Sequence, residues 1–438
     1  MISQVNVGDR VRVRKGSVVY EGVVLPKSEF SSDGILVLKL DNGYNVGVDV
    51  SNAEVEVIEE GTIEFRDVAL SRSLVKGGGD LKLTFVSTGG TIVSKVDYET
   101  GAVRPAITAA ELLEAVPEFT AYASDLEVVE LSRLFSEDMT PEHWSALSRE
   151  TARLIKSGAD GVLIAHGTDT MTYTASALAF ALSDLPSPVV FVGSQRSSDR
   201  PSSDSALNMK ASLSVFRDAP FGEVVVCMHG SVSDEYVLVH RGVKVRKMHS
   251  SRRDAFQTIN DLPLARVDLP GMKLRLLNNR FIPRGRREDF LCRCGFSDRV
   301  ALIKSYPGMS CDVIDYFVDR GYRALVIEGT GLGHVRNACV DSVARATDSG
   351  VLVVITTQTI FGRVNLSVYS TGRRLLKAGA VSGQDMLSEV AYVKLSWIFG
   401  NYPGLERGGC VELFNKNLVY EFNPVHSDLA FPRWLHDH

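Results

Sequence analysis

The sequence predicts an α/β protein, a two-domain parallel-sheet body preceded by a small all-β barrel domain. Three observations lead there. Short Val-rich runs alternate with turn clusters from Val7 to about Ile58, the rhythm of an all-β module. Beyond Asp80, apolar runs of strand length alternate with longer amphipathic stretches, as in βαβ units. The same rhythm restarts at Val300 after an irregular basic stretch.

The 438 residues, at roughly 150 residues per domain, give about three folding units. Hydrophobic residues make up 45% and charged residues 23%, ordinary for a globular chain and incompatible with wholesale disorder or collagen. The net charge of −5 provides no global basic field for phosphate backbones, so any nucleic-acid contact is local or made through a partner. The start, Met1 to Arg10, lacks a signal-peptide pattern, and no later apolar run has membrane-spanning length; a soluble cytoplasmic protein without membrane contact is expected. The six cysteines are sparse and unevenly spaced, so they read as reduced thiols rather than a disulfide framework. Cys292 and Cys294 have no second Cys or His pair at ligand spacing, and no metal site is expected.

In chain order, residues 1–75 hold the small β-barrel and the stretch leading to a Gly-rich linker. Asp41-Asn42-Gly43 between two runs signals a tight hairpin, because Asn and Gly tolerate positive φ. The glycines of Lys76-Gly77-Gly78-Gly79-Asp80 mark the boundary. Residues 80–270 form the first α/β domain, with strands at Leu81–Val86, Gly161–Ala165, Val189–Val192 and Glu223–Cys227. Residues 271–297, with Pro283 and Arg284-Gly285-Arg286-Arg287, read as an interdomain linker. Residues 298–410 form the second α/β domain, with strands at Val300–Ser305, Ala324–Glu328 and Val351–Thr356. Residues 411–438 are an irregular tail.

In open parallel sheets, ligands sit at the carboxyl ends of strands, and several strand ends here carry reactive groups. Ser87-Thr88-Gly89-Gly90-Thr91 turns sharply and leaves Thr91 facing the crevice; it lacks the spacing of a phosphate-binding loop. His166-Gly167-Thr168-Asp169-Thr170 precedes a helical run, so Thr168 and Asp169 also suit simple helix capping. A hydroxyl nucleophile needs a base and a cation, and Lys247 supplies the latter type, although a solvated basic loop would read the same. Whether Lys247 acts as a base or stays charged and oriented by Asp169 is left open. Tyr98, near Gly101, is a further proton carrier on a loop suited to excluding water, or an exposed loop tyrosine. Gly193 to Pro201 is dense in small polar groups and either walls the crevice or makes a turn.

Together, Thr-Gly-Gly-Thr-Ile, Gly-Thr-Asp-Thr-Met and the later Lys247 resemble the L-asparaginase/glutaminase family over roughly Leu81 to Phe399. The resemblance implies Thr91 as nucleophile, Tyr98 on its flexible loop, and Thr168, Asp169 and Lys247 as the second part of the catalytic constellation. Ser136 falls where the family binds the substrate's α-carboxylate and ammonium, and Glu137 stands where many members carry Gln. The implied chemistry is a two-step acyl transfer with release of ammonia and no metal or organic cofactor, with backbone N–H groups near Gly89-Gly90 or Thr168 as oxyanion donors. The N-terminal barrel ahead of such a body, and the segment Arg252-Arg253-Asp254-Ala255-Phe256, are similar to the glutaminase subunits of archaeal tRNA-dependent amidotransferases. That likeness implies glutamine as amide donor. It also implies a separate, E-type amidotransferase partner that binds Glu-tRNA(Gln) and activates it with ATP and Mg²⁺, and a homodimer core within a heterotetramer. The alternatives are a free-standing asparaginase/glutaminase with an appended domain and a catalytically silent scaffold; the intact Thr91, Thr168, Asp169 and Lys247 speak against the scaffold.

Overall fold

The computed structural model describes residues 5–6, 9–25, 34–42, 44–59, 72–89, 95–96, 103–104, 109–198, 200, 202–425 and 431. Thr91 and Tyr98 lie outside the described residues.

The N-terminal unit is all-β. Five antiparallel strands run in the spatial order Asn45–Asp49, Ile35–Leu40, Val18–Val24, Arg10–Lys15, Glu54–Glu59. Alternate residues of these strands, Val11, Val13, Leu36, Leu38 and Val48, turn inward to one apolar core, as the period of two requires. The expected hairpin forms between Ile35–Leu40 and Asn45–Asp49, closed where Leu40 N–H donates to Tyr44 O at 2.9 Å and Asn42 Oδ1 accepts from Tyr44 N at 3.2 Å. This domain touches the body where Arg200 stacks over the Tyr44 ring, 5.7 Å from its centroid.

A nine-stranded mixed sheet forms the centre of the body. Its middle is parallel: Ala123–Glu130, Leu81–Ser87, Gly161–Ala165, Val189–Val192 and Val224–His229 lie side by side. Buried on both faces, these strands read as continuous apolar runs rather than alternating ones. Val162 and Ile164 face one core, which includes helices Pro141–Lys156 and Met171–Ala181, while Leu163 and Ala165 face another beneath helix Ser205–Asp218. The edges are antiparallel. Tyr236–Arg241, Ala265–Asp268 and Lys273–Leu276 extend one side, and Arg72–Lys76 closes the other against Ala123–Glu130.

Two sequence boundaries therefore shift. The glycines at 77–79 sit within the body rather than ahead of it, because the strand before them joins its sheet. A Cβ at Gly77 or Gly79 would come within 2.2 Å of the backbone around Ala123 or Tyr122, so close approach explains these glycines better than linker freedom. Part of the 271–297 segment is likewise structured: Lys273–Leu276 is a sheet strand and Leu291–Cys292 pairs with Leu182–Ser183. The second domain carries four parallel strands, Val300–Lys304, Ala324–Gly329, Leu352–Thr357 and Val381–Ser382. Helix Arg407–Asn415 runs past the expected start of the tail.

The cysteine reading is corrected. Cys311 and Cys339 are disulfide-bonded with a Cα–Cα distance of 5.0 Å, and Cys292 is bonded to Cys294; Cys227 and Cys410 are free. Counting cysteines missed the first pair because the bond depends on proximity: Cys311 caps helix Asp312–Asp319 and Cys339 ends a short 3₁₀ turn packed beside it.

The two domains meet along helix Met171–Ala181, which is almost wholly buried and packs against Ser388–Asn401 of the second domain. A helix apolar on all sides belongs between two layers. Three polar systems cross the boundary. Lys244 Nζ pairs with Asp385 at 2.9 Å, Arg246 pairs with Glu389 at 3.1 Å, and Asn260 exchanges hydrogen bonds with Gly362. Among the described residues, no helix is long and apolar enough to cross a membrane.

Candidate active site

Strand order fixes where a ligand belongs. The chain leaves Leu81–Ser87 toward Ala123–Glu130 on one side, then returns to Gly161–Ala165 on the other and proceeds to Val189–Val192. Connections diverge between Leu81–Ser87 and Gly161–Ala165, so the crevice opens at the carboxyl ends of those two strands. Thr88-Gly89 and His166-Gly167-Thr168 stand there.

The first strand end is tied down tightly. Thr88 donates from both its N–H and its hydroxyl to Ala165 O, at 3.1 and 3.0 Å, and its own carbonyl accepts from Ser132 Oγ at 2.9 Å. Gly89 has φ +109°, and a Cβ there would stand 2.2 Å from Leu134 O; only glycine permits this turn into the Thr91 loop.

At the second strand end the side chains of Thr168 and Asp169 turn to Lys247 rather than to the helix N-terminus. Helix Met171–Ala181 starts at Thr170, and no side chain caps it. Thr168 Oγ1 and Asp169 Oδ1 instead accept hydrogen bonds from Lys247 Nζ, at 2.9 and 2.8 Å. Thr168 is buried, whereas the Asp169 side chain is 70% exposed and that of Lys247 only 13%. The ammonium therefore sits at the crevice wall with two of its three donors fixed.

Lys247 ends the strand Val245–Lys247, which pairs with Phe256–Thr258. Side chains alternate across a strand. Arg246 reaches Glu389 of the second domain while Lys247 projects to Thr168, and just before the strand Lys244 reaches Asp385. The Lys247 ammonium is thus set by a strand gripped from both domains.

Ser136 begins a 3₁₀ turn, is buried, and is held against the second strand end: its carbonyl accepts from Thr170 Oγ1 at 2.6 Å. A Cβ on Gly167 would lie 2.7 Å from Ser136 Cβ, so the two segments are in direct contact. Glu137 is exposed. The structure thus brings together Ser136, Thr168, Asp169 and Lys247. His166 lies beneath them, fully buried, its Nδ1 2.7 Å from Gly167 O, and burial lowers its pKa to about 4. Among the described residues, no group of three or more His, Cys, Asp or Glu is placed to hold a metal ion.

The buried Asp204 carboxylate accepts from Ser194 Oγ at 2.9 Å, Gln195 N at 3.1 Å and Arg196 N at 3.0 Å, tying Ser194, Gln195 and Arg196 to the start of helix Ser205–Asp218. Asp204, Asn208 and His229 escaped sequence reasoning. The available signal was weak: His229 ends a strand and Arg253 lies in a basic segment, and neither position announces a contact.

With this geometry in place, comparison with known proteins separates the possible families. Residues 82–280 match the model "Asparaginase, N-terminal", residues 299–407 match "Glutaminase/Asparaginase C-terminal domain", and residues 5–58 match "GatD N-terminal domain". The D-type subunit of the glutamyl-tRNA(Gln) amidotransferase of Sulfolobus acidocaldarius is 47% identical over 436 residues, 99% of this chain and 95% of that protein. The chain belongs to the GatD family of glutamyl-tRNA(Gln) amidotransferase subunits. The GatD of Pyrococcus horikoshii is 50% identical over 408 residues, covering 92% of each chain. Among solved structures, the thermostable L-asparaginase from Thermococcus kodakarensis aligns with a TM-score of 0.71 at 29% identity, covering 79% of this chain and all of that one. L-asparaginase I from Vibrio cholerae gives a TM-score of 0.67 at 29% identity over 78% of this chain and all of that one. The match of residues 5–58 to the GatD N-terminal domain accounts for the N-terminal β unit.

Proposed function

We propose that this chain is the glutaminase subunit of a cytoplasmic tRNA-dependent amidotransferase that converts Glu-tRNA(Gln) to Gln-tRNA(Gln). The observation that carries the reading is Lys247 Nζ bonded to both Thr168 and Asp169 at the crevice, in a chain that also bears the GatD N-terminal domain. Thr91, on the loop leaving Gly89, attacks the glutamine side-chain amide carbon. The Thr91 hydroxyl proton passes to a basic group, the C–N bond breaks, and the nitrogen leaves as ammonia after accepting a proton. Water then cleaves the ester, releasing glutamate and restoring Thr91. The Thr168–Lys247–Asp169 cluster holds the proton-handling group and stabilises developing negative charge. Ser136 and Glu137 bind the amino-acid head of the substrate, and Tyr98 closes over it. No metal or organic cofactor takes part within this chain.

The ammonia passes to the E-type partner, which binds the mischarged tRNA and activates its glutamate with ATP and Mg²⁺. The chain's net charge of −5 suits a subunit that leaves most RNA binding to that partner. The assembly is a homodimer of this chain with one partner per copy. A second reading, a free-standing asparaginase/glutaminase, is favoured by the likeness to solved L-asparaginases. Ammonia release from glutamine and from asparagine, with and without the E-type partner and glutamylated tRNA, separates the two. Glutamine hydrolysis that appears only in the full complex supports the amidotransferase, and vigorous asparagine hydrolysis by the chain alone would replace it with the second reading. Thr91→Ala should abolish turnover in either case.

A further inference from the structure

A buried polar relay runs behind the site and touches the supports of both Thr168 and Lys247. Its donors can be followed in one direction. Arg253 Nη2 lies 2.8 Å from His229 Nε2, which also stands 3.3 Å from Asp234 Oδ1; with the guanidinium donating to Nε2, the ring proton sits on Nδ1. Nδ1–H then donates to Asn208 Oδ1 at 2.6 Å, and Asn208 Nδ2 donates to Gly193 O at 3.0 Å and to Asp204 Oδ2 at 3.1 Å. Asn208, His229 and Asp204 are fully buried and Arg253 is 8% exposed, so a broken link would strand polar atoms away from water.

At one end, the relay fixes the backbone that Thr168 rests on. A Cβ at Gly193 would stand 2.7 Å from Thr168 Cγ2, so movement of Gly193 is movement of the Thr168 wall. At the other end, Arg253 anchors the turn that follows Lys247. It donates to Val232 O at 3.1 Å and pairs with Asp234, and the turn closes where Met248 N–H donates to Ala255 O at 2.6 Å. Lys247 itself pairs in the ladder with Phe256, three residues beyond Arg253. Among the described residues, none of these groups is hydrogen-bonded to the side chain of Lys247 or Thr168.

We propose that Arg253 is a positioning residue for the Thr168–Lys247 pair, acting through His229 and Asn208 and not on the substrate. The inference rests on the glutaminase reading for its kinetic consequence, but not for its geometry. The test uses the full chain in whichever state, alone or assembled with the E-type partner and tRNA, gives wild-type ammonia release. A misplacement of reacting groups approaching 1 Å costs up to about 10²-fold, so Arg253→Met should lower kcat by about tenfold or more with KM within about twofold. Arg253→Lys, which keeps one charged donor, should recover most of kcat. His229→Leu should lose as much as Arg253→Met, and the double variant should lose no more than either one, because both break the same chain.

Additive losses, or a kcat that falls only in step with the folded fraction, would overturn the proposal. If Arg253→Met does not fold, His229→Gln carries the test, since its amide reaches one neighbour but not both; an unchanged kcat there would overturn it equally. Crystal structures of wild type and of a folding relay variant give an activity-free readout. The Lys247 Nζ to Thr168 Oγ1 distance should lengthen from 2.9 Å, and an unchanged distance counts against the relay. If no state of the wild type releases ammonia, the glutaminase reading fails while that distance still decides the positioning claim.

Discussion

Gly167→Ala is expected to damage substrate binding with little warning from the local backbone. Gly167 is not among the positive-φ glycines, so alanine fits its conformation. The difficulty lies across the contact: the new Cβ would stand 2.7 Å from Ser136 Cβ and 2.9 Å from Ser136 Oγ, where ordinary contact begins at 3.4 Å. Ser136 must therefore retreat by about 0.7 Å. It is buried and its carbonyl is held by Thr170 Oγ1, so the retreat displaces the turn carrying the proposed α-carboxylate contact. Misplacements of this size cost between tenfold and about 10²-fold, or roughly 1.4 to 2.7 kcal/mol of transition-state binding. The loss should fall mainly on KM. Overpacking adds a stability cost on the order of 1–3 kcal/mol, which a thermal melt reads separately. Steady-state glutamine hydrolysis by the folded variant is the assay. A KM within twofold of wild type would refute the contact between Gly167 and a substrate-binding Ser136.

Lys247→Arg should lower kcat by about 10²-fold or more, because the longer, planar guanidinium cannot occupy the single point from which the ammonium donates to Thr168 and Asp169; ammonia release checks it, and near-wild-type turnover would remove Lys247 from the chemistry. Lys394→Met should destabilise the chain by about 3–5 kcal/mol, since Glu421 is fully buried with Lys394 as its ion-pair partner; denaturant titration measures this, and a change under 1 kcal/mol would refute it. Cys311 and Cys339 are 28 residues apart, so their bond should contribute about 3–4 kcal/mol; a reductant should lower Tm, and an unchanged Tm would refute that contribution. Because burial holds the His166 pKa near 4 against 6.5 in the unfolded chain, the unfolded state binds the extra proton. Its contribution is intact above pH 6.5 and declines toward pH 4, by on the order of 3 kcal/mol in all. His166→Gln should flatten that decline in melts across this range.

The strand ends were legible because local patterning reports them. Apolar runs followed by Gly, Thr and Asp identify where a parallel sheet stops and a crevice begins, and Ser136, Thr168, Asp169 and Lys247 converge there. The contact between Lys247 and Thr168 was legible only through resemblance, since nothing periodic relates residues 79 positions apart. The Arg253 relay was hidden for the same reason, as was the pairing of Lys244 with Asp385 across 141 positions. Charged residues in such a strand read as solvent-facing until a second domain arrives to bury them. Arg72–Lys76 was missed for a different cause: its burial pattern is almost entirely exposed, as suits an edge strand, so it carries little apolar signal.

The strand bearing Lys247 is clamped from both sides, and this has a consequence for how the molecule can move. Swinging the two domains apart would break the buried Lys244–Asp385 pair, detach Arg246 from Glu389 and uncover helix Met171–Ala181. Uncovering a helix buried on nearly all sides costs about 25 cal/mol per Å² of apolar surface brought into water, more than thermal motion supplies. Hinge opening is therefore closed off as an entry route. The framework beneath the crevice is thus held as one piece by contacts from both domains.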